Sequence, residues 1–541
     1  LLSFMPNAPG TVLTLNQLRL RYPGSESWTL DGLDLSLKSG DRLALVGPSG
    51  CGKSTVARAA LQLLPPGSCC EGDLLLNGQD PRQLSRPALR ALRGEAVGLV
   101  FQDPMTRLNP LMTVGGHLLD TFAAHRPAMG HQERKDRAES LLEQVGIGAE
   151  RFRAYPHEFS GGMRQRLAIA LAIALAPPLV IADEPTTSLD VAVAGQVMEV
   201  LRTLCEELGS ALLLITHDLA MANRWCEDMA VLDGGRLVEQ NSSTQVLTHP
   251  QSGIAKRLVT AARAREGGHT PETPDGTAVL QVEGLRCWHN LGGAPWSPNW
   301  LKAVDDVSFT LQSGESLGVV GGSGCGKSTL CRALMGLTPI RGGDVWLQRQ
   351  NLLQLRGSAE RQARRTIQMV FQDPLACLNP ALSVADAIAD PLLIHGLASR
   401  AAARERAREL LELVGLSPAD HFQNRLPKQL SGGQQQRVAI ARALALRPQV
   451  LICDESVSML DAEIQAEVLA LLRRLQQDLG LAMIFVTHDL SVASGFCHRV
   501  IVLDRGHVVE EGPGDQLLRH PKATITRTLV AACPLLPTSS P

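Results

Sequence analysis

The chain has 541 residues, 44% of them hydrophobic and 20% charged, a balance that excludes a disordered, collagen-like or fibrous protein. Lysine plus arginine number 52 against 54 aspartate plus glutamate, so the formal charge of -2 leaves no basic field to hold a polyanion at a distance. Aromatic residues make up only 3%, with tyrosine confined to Tyr22 and Tyr155, and rows of base-stacking platforms are excluded as well.

At roughly 150 residues per domain the length predicts three or four domains, or two large lobes that each carry a smaller one. The cysteines lack C-x-x-C pairs and read as buried or idle thiols of a reducing compartment. Residues 1–10 show no basic stretch leading into a long apolar one, so no signal peptide is expected and the chain is expected in the cytoplasm. The apolar run 167–182 is shorter than the ~20 residues of a membrane helix, and Pro177 and Pro178 divide it into a helix and a strand.

In chain order, alternation predicts a strand over 11–20, and an apolar strand over 43–46 leads into Gly47-Pro48-Ser49-Gly50-Cys51-Gly52-Lys53-Ser54-Thr55 and a helix. A helical stretch follows from about 104 to 165. Then come an apolar strand ending in Asp183-Glu184 and a second, over 211–215, ending in Thr216-His217-Asp218. Residues 263–277, polar and rich in Gly, Pro and Thr, read as a short flexible linker. The series then restarts. Strands over 279–285 and 317–320 lead into Gly321-Gly322-Ser323-Gly324-Cys325-Gly326-Lys327-Ser328-Thr329, a helical stretch spans about 374 to 436, and strands end in Asp454-Glu455 and in Thr487-His488-Asp489.

Gln102 and Gln372 lie 270 residues apart, while Ser160 and Ser431, Glu184 and Glu455, and His217 and His488 are each separated by 271. The chain is therefore a tandem of two homologous halves, 11–262 and 278–533, each an α/β core with an inserted α-helical subdomain.

G-x-x-x-x-G-K-[ST] after a strand is a P-loop: its glycines let backbone N–H groups surround phosphates, the lysine neutralises charge on the β/γ oxygens, and the hydroxyl ligates Mg²⁺. Asp183 and Asp454, at strand ends, can hold that ion through water. The glutamates beside them, Glu184 and Glu455, can polarise an attacking water as general base.

Ser160-Gly161-Gly162-Met163-Arg-Gln-Arg166 and Ser431-Gly432-Gly433-Gln434-Gln-Gln-Arg437 resemble the signature motif of ABC-type ATPases. The resemblance covers both halves almost end to end. It includes Q-loops with Gln102 and Gln372, D-loops (Ser188-Leu-Asp190, Met459-Leu-Asp461) and the switch histidines His217 and His488. It implies two tandem P-loop ATPase domains, each with an antiparallel β subdomain beside the α/β core and helical insert, that bind and hydrolyse ATP with Mg²⁺.

As in that family, Gln102 and Gln372 are expected at catalytic, Mg²⁺-contacting positions. The two domains would face head to tail, Lys53 and Glu184 pairing with Ser431 to Gln434, and Lys327 and Glu455 with Ser160 to Met163. Serines at helix N-termini suit an anionic γ-phosphate, because unpaired N–H groups and the helix dipole favour negative charge there.

For adenine stacking the family uses an early aromatic. Tyr22 fits in the first half; in the second, Cys287-Trp288-His289 offers two candidates ahead of an insertion at 291–301, and Trp288 is taken. Two departures predict modest asymmetry between the sites. Met163 replaces the commoner glutamine, whose hydrogen bonds methionine cannot make, and Ser456 replaces the proline that usually follows the glutamate, as Pro185 does in the first half. The arginine-rich stretches 361–365 and 400–408 read as solvated helix faces.

The wording FQDPxxxLNP after each Q-loop, and YPHEFSGGMRQR in the first half, resembles the oligopeptide, dipeptide and nickel branch of bacterial importers. That resemblance implies two integral-membrane permease subunits, an extracytoplasmic solute-binding protein, and a peripheral place on the cytoplasmic face of the membrane. His249-Pro-Gln-Ser, His520-Pro-Lys-Ala and a tail with only Cys533 are closer to nickel or metal-chelate importers than to peptide importers. The alternative, a soluble tandem ATPase of the same family acting on ribosomes, usually has a long charged helical linker, whereas residues 263–277 are short and broken by Pro271 and Pro274. A non-hydrolysing scaffold conflicts with the presence of both glutamates.

Overall fold

Strands β6 (Leu179–Asp183) and β7 (Ala211–Ile215) are aliphatic almost throughout and buried except at Asp183, as strands covered on both faces of a parallel sheet must be. They belong to a computed structural model that describes residues 10–104, 107–187, 189–266, 274, 276–294, 297–458, 460–533 and 536–537. The chain divides into two compact units, the first holding the residues up to Ala262 and those after Cys533, the second running from Arg263 to Cys533.

In the first unit β1 (Thr11–Arg21), β2 (Leu30–Lys38), β3 (Arg42–Val46), β4 (Cys69–Leu76) and β5 (Val97–Val100) precede β6 and β7; β8 (Asp228–Asp233) and β9 (Arg236–Ser242) follow. The main sheet has the order β5-β6-β7-β3-β8-β9, parallel except for β9, and β2-β1-β4 form a separate antiparallel sheet. Alternation along β3 separates two cores. Leu43 and Leu45 join the antiparallel sheet and the helix Lys53–Ala60, while Ala44 and Val46 join the helical insert. Each fully buried leucine contributes roughly 1.5–3 kcal/mol, so both insert and antiparallel sheet are anchored to the strand that carries the P-loop.

The insert comprises helices Val114–His125 and His131–Gln144 and runs into the helix Gly161–Ile173. Thr113 caps the first of these by accepting a hydrogen bond from the Gly116 N–H.

The second unit repeats the plan with β10 (Ala278–Ala294), β11 (Ser297–Gln312), β12 (Ser316–Val320), β13 (Gly342–Leu347), β14 (Gln350–Asn351), β15 (Ile367–Val370), β16 (Val450–Asp454), β17 (Ala482–Thr487), β18 (Arg499–Asp504) and β19 (His507–Gly512). Its sheets are β15-β16-β17-β12-β18-β19 and β11-β10-β13-β14. Its insert uses helices Val384–Ile394 and Arg400–Leu413 before Gly432–Leu444. The arginines of the helix Arg400–Leu413 are laced to acids on the surface, Arg404 to Asp386 and Arg406 to Glu409.

Two sequence expectations need correction. The strand expected over 279–285 runs on to Ala294 and pairs with β11, so the described residues of the insertion at 291–301 lengthen those two strands. The first four residues assigned to the linker continue the helix Gly253–Glu266, because Arg-Ala-Arg-Glu are good helix formers and Gly267-Gly268 come only after them. Residues 267–273 and 275 of that linker, Met105, Thr106, Ser188 and Met459 lie outside the described residues. Among the described residues no helix is long and apolar enough to cross a membrane.

Candidate functional site

Each P-loop connects the end of a central strand to a helix, and glycine is required at its two ends. A Cβ at Gly47 would collide with the Leu232 carbonyl, and one at Gly321 with that of Leu503. Gly52 and Gly326 have φ of +106° and +112°, a region that favours glycine. Both are helix N-caps without a side-chain cap, leaving the first N–H groups of helices Lys53–Ala60 and Lys327–Leu334 available to an anion. Ser49, Gly50, Ser323 and Gly324 form the exposed crests, Pro48 and Gly322 flank them, and Cys51 and Cys325 are buried beneath. Burial raises both thiols above the ordinary range, which makes them packing groups and not nucleophiles.

The lysines are almost completely buried. Lys53 Nζ donates to Gly47 O at 2.7 Å and Pro48 O at 2.9 Å; Lys327 Nζ donates to Gly321 O at 2.8 Å and Gly322 O at 3.0 Å. Ser54 Oγ donates to Asp183 Oδ1 at 2.9 Å, and Ser328 Oγ to Asp454 Oδ1 at 3.4 Å. Burial, reinforced by the charge of the neighbouring glutamate, pushes both aspartates up against the opposing serine hydrogen bond.

Glu184 and Glu455 follow β6 and β16 with φ of +47° and +45°, a conformation costing about 1–3 kcal/mol outside glycine. Each is held there by its N–H, which donates to Ile215 O at 2.9 Å and to Val486 O at 3.0 Å respectively. The turn lifts each carboxylate out of line with its strand and into a ring of donors.

Glu184 Oε2 accepts from Gln102 Nε2 at 2.8 Å and Thr187 Oγ1 at 3.0 Å, and Oε1 lies 3.1 Å from His217 Nδ1. Glu455 Oε2 accepts from Gln372 Nε2 at 3.0 Å, but His488 Nδ1 is 3.7 Å away and Ser458, in Thr187's place, donates to the Glu455 carbonyl. Lys327 Nζ lies 3.9 Å from Glu455 Oε1. Burial alone would raise both carboxyls; the histidine and lysine, with Thr187 in the first unit, outweigh it and hold them below the ordinary carboxylate range. A carboxylate so held stays ionised and can accept a proton from water. The switch-loop and Q-loop residues are thus gathered around the glutamate in each unit.

Ser160 and Ser431 are N-caps of Gly161–Ile173 and Gly432–Leu444, accepting from Met163 N and Gln434 N at 3.4 Å. In the second unit Gln434 Oε1 returns a bond by accepting from Ser431 N at 3.0 Å; Met163 has no oxygen with which to do so. Gly162 and Gly433 press against Val193 and Ile464 of the helices Val191–Leu208 and Ala462–Leu479, with no space for a Cβ, while Gly161 and Gly432 lie against Leu189 and Leu460. Ser456 Oγ, at the position of Pro185, is buried with no hydrogen-bonded oxygen or nitrogen partner.

Tyr22 packs at the edge of the first P-loop core, its hydroxyl 3.1 Å from Thr55 Oγ1. The second unit corrects the choice of Trp288. Leu20 pairs with Leu30 and Cys70, and Cys287 with Val304, so strand register sets Cys287 opposite Leu20 and His289, two residues on, in the place of Tyr22. Trp288 points to the other face, where its indole N–H donates to Asp305 Oδ1 at 3.2 Å under the Lys302 ammonium. Thr329 follows Ser328 as Thr55 follows Ser54, half-buried on its helix. Sequence reasoning also missed Thr187 and Ser458; their constant offset of three from the glutamate was the available signal.

The sequence profile described as "ABC transporter" matches residues 30–187 and 304–458. The peptidoglycan transport ATP-binding protein YejF of Agrobacterium fabrum is 39% identical over 516 residues, 94% of this chain and 93% of that protein. The glutathione import ATP-binding protein GsiA of Pectobacterium atrosepticum is 38% identical, over 95% of this chain and 87% of its own. The ABC transporter ATP-binding protein YejF of Escherichia coli, whose function its name gives no further, is 38% identical over 96% and 99%. With the profile matching over each P-loop and each strand-end carboxylate pair, and relatives 38–39% identical over nearly the whole chain, the chain belongs to the ABC transporter family as an ATP-binding subunit carrying two ATPase domains.

Proposed function

We propose that the protein powers bacterial import of small peptides or peptide-derived solutes, hydrolysing ATP at two sites and transmitting closure around ATP to two membrane permeases supplied by an extracytoplasmic binding protein. The observation that carries this reading is that each unit gathers lysine, aspartate, glutamate, glutamine and histidine around one P-loop, so neither site is degenerate. The solute class rests on the relatives named for glutathione import and peptidoglycan transport. The metal-chelate preference rests on the His-Pro-Gln-Ser and His-Pro-Lys-Ala segments, the cysteine-poor tail and Glu455-Ser-Val-Ser-Met-Leu-Asp461, and peptides are preferred.

In this reading the P-loop N–H groups and Lys53 or Lys327 hold the phosphates, and Tyr22 or His289 faces the base. Glu184 or Glu455 takes a proton from the attacking water while Gln102 and His217, or Gln372 and His488, hold its carboxylate in place. The signature helices complete the sites in trans, Ser431 to Gln434 with Lys53 and Ser160 to Met163 with Lys327.

Magnesium prefers oxygen donors, and Ser54 with Asp183, and Ser328 with Asp454, place a hydroxyl beside a carboxylate at each loop. Those residues, with Gln102 and Gln372, fit the ion. When bound it supplies charge neutralisation on the phosphates.

Affinity purification of the tagged chain from detergent-solubilised cells tests the proposal. Two multi-spanning membrane proteins are expected to accompany it, with a binding protein encoded alongside that retains peptides. Ribosomal proteins or RNA without a membrane partner would overturn it, and a binding protein that retains metal chelates but no peptide would overturn the solute class.

A further inference from the structure

His488 and His217 stand differently toward their glutamates, 3.7 Å from Glu455 in the second unit and 3.1 Å from Glu184 in the first. The backbone on either side of each histidine is pinned alike. Asp489 N donates to Thr487 Oγ1 at 3.1 Å, and Asp218 N donates to Thr216 Oγ1 at 3.0 Å. The difference lies in what holds the aspartate that follows.

Asp489 is the N-cap of the helix Leu490–Phe496. Its Oδ1 accepts from the Ser491 and Val492 N–H groups at 2.9 and 3.4 Å, and also from the Ser491 hydroxyl at 2.6 Å. A fourth donor reaches the same oxygen from the far end of the unit, where the Cys533 thiol lies 3.4 Å away.

Cys533 ends the helix Thr524–Ala532, and that helix is fixed at both ends. Glu510 caps its entry, and Leu529 is buried in the core that also holds Leu490 and Val492. The thiol is 6% exposed. Burial, and after it the charge of Asp489, hold it well above its ordinary range, so it stays protonated and keeps a proton to donate.

In the first unit Asp218 keeps the backbone cap, accepting from Met221 N at 2.9 Å. At the offset of 271, however, Ala220 stands in the place of Ser491 and Ala262 in that of Cys533, both buried. A methyl group donates nothing. The unit whose capping aspartate carries two extra side-chain donors is the unit whose histidine stands back from its glutamate.

We infer that Cys533 is a positioning residue of the second site: with Ser491 it draws Asp489 toward the C-terminal helix, sets His488 back from Glu455, and so slows hydrolysis at Lys327 relative to an untethered loop. One neutral hydrogen bond shifts an equilibrium roughly two- to tenfold, which bounds the effect. The inference rests on the reading of Glu455 as base and His488 as its support, and adds the group that tunes that pair.

The test is vanadate trapping of 8-azido-ATP on the full chain, purified with the partners that accompany it, with photolabelled peptides assigning each trapped nucleotide to one half. Cys533→Ala installs the residue that the first unit already accommodates. It is expected to speed trapping in the second half at least threefold, with the half-saturating nucleotide concentration within twofold of wild type and the first half unchanged. Cys533→Ser, which keeps a donor, is expected to restore the wild-type rate. On a His488→Ala background, Cys533→Ala is expected to change nothing, because the group it positions is gone.

The inference is overturned if Cys533→Ala leaves second-half trapping unchanged or slows it, if the gain comes through tighter nucleotide binding, if Cys533→Ser matches Cys533→Ala, or if the gain persists without His488. A His488→Ala variant that traps as fast as wild type in the second half is a different result, because it removes the reading of the histidine on which the inference stands.

Discussion

At the scale of single residues, the two P-loop sites of this ATPase differ in how firmly the neighbouring glutamate is held. Glu184 has three side-chain partners, His217, Gln102 and Thr187, whereas Glu455 keeps Gln372 alone within hydrogen-bond distance and has His488 at 3.7 Å. For Glu184, burial pulls the carboxyl upward and His217 leads the groups that hold it down. Removing His217 lets burial dominate, so protonation starts at higher pH and the base is lost sooner as pH falls. With the second centre silenced by Glu455→Gln, His217→Ala should move the acid limb of single-turnover phosphate release to higher pH and slow the neutral-pH rate by about 10²-fold, the scale of general-base catalysis. An acid limb that stays in place would show that His217 does not set the state of Glu184.

The same scale shows what the sequence discloses. Lys53, Glu184, Gln102 and His217 were legible because each sits at a fixed step from a strand end, so sequence spacing carried over into space. The positive φ of Glu184 was not legible, since it comes from the turn that swings the chain off β6. Trp288 was misassigned because aromatic character is visible in a sequence, whereas the face of a strand depends on a register that its partner strands fix.

Among the elements, the tandem repeat made the strand and helix order of the second unit predictable from the first. The length of β10 and β11 escaped because the strand was read only over 279–285 and residues 291–301 only as an insertion, whereas the pairing of β10 with β11 extends to Gly293 with Pro298 and Ala294 with Ser297.

A further element-level feature recurs at the constant offset of 271. Glu239 accepts from the Gln251 and Ser252 N–H groups, and Glu510 from those of Lys522 and Ala523 at 2.8 and 2.9 Å, each capping from a distance the entry to a C-terminal helix, Gly253–Glu266 or Thr524–Ala532. Burial would raise both carboxyls, but these backbone bonds help hold them below the ordinary value.

The capping contribution is therefore complete above the unfolded pKa of about 4.3 and disappears as pH falls through the lower folded value. Glu510→Ala should cost about 1 kcal/mol at pH 7, measured by urea denaturation, and the difference from wild type should vanish in acid. A difference that persists unchanged into acid would assign the loss to something other than the ionised cap.

For the whole molecule, duplication has kept two full sets of P-loop, carboxylate and histidine residues while letting the surfaces diverge. The P-loops, carboxylates and histidines correspond one for one. By contrast Glu95 against Arg365, Ala124 against Ile394, and Met163 against Gln434 show where the halves have separated. Two intact centres on one chain are the core of this account, and the number of nucleotides held at once tests it most directly. The double variant Glu184→Gln, Glu455→Gln removes both bases while leaving each P-loop lysine and serine in place, so ATP binds without turnover. Equilibrium binding of labelled ATP to that variant should saturate at two per chain; saturation at one would contradict the account.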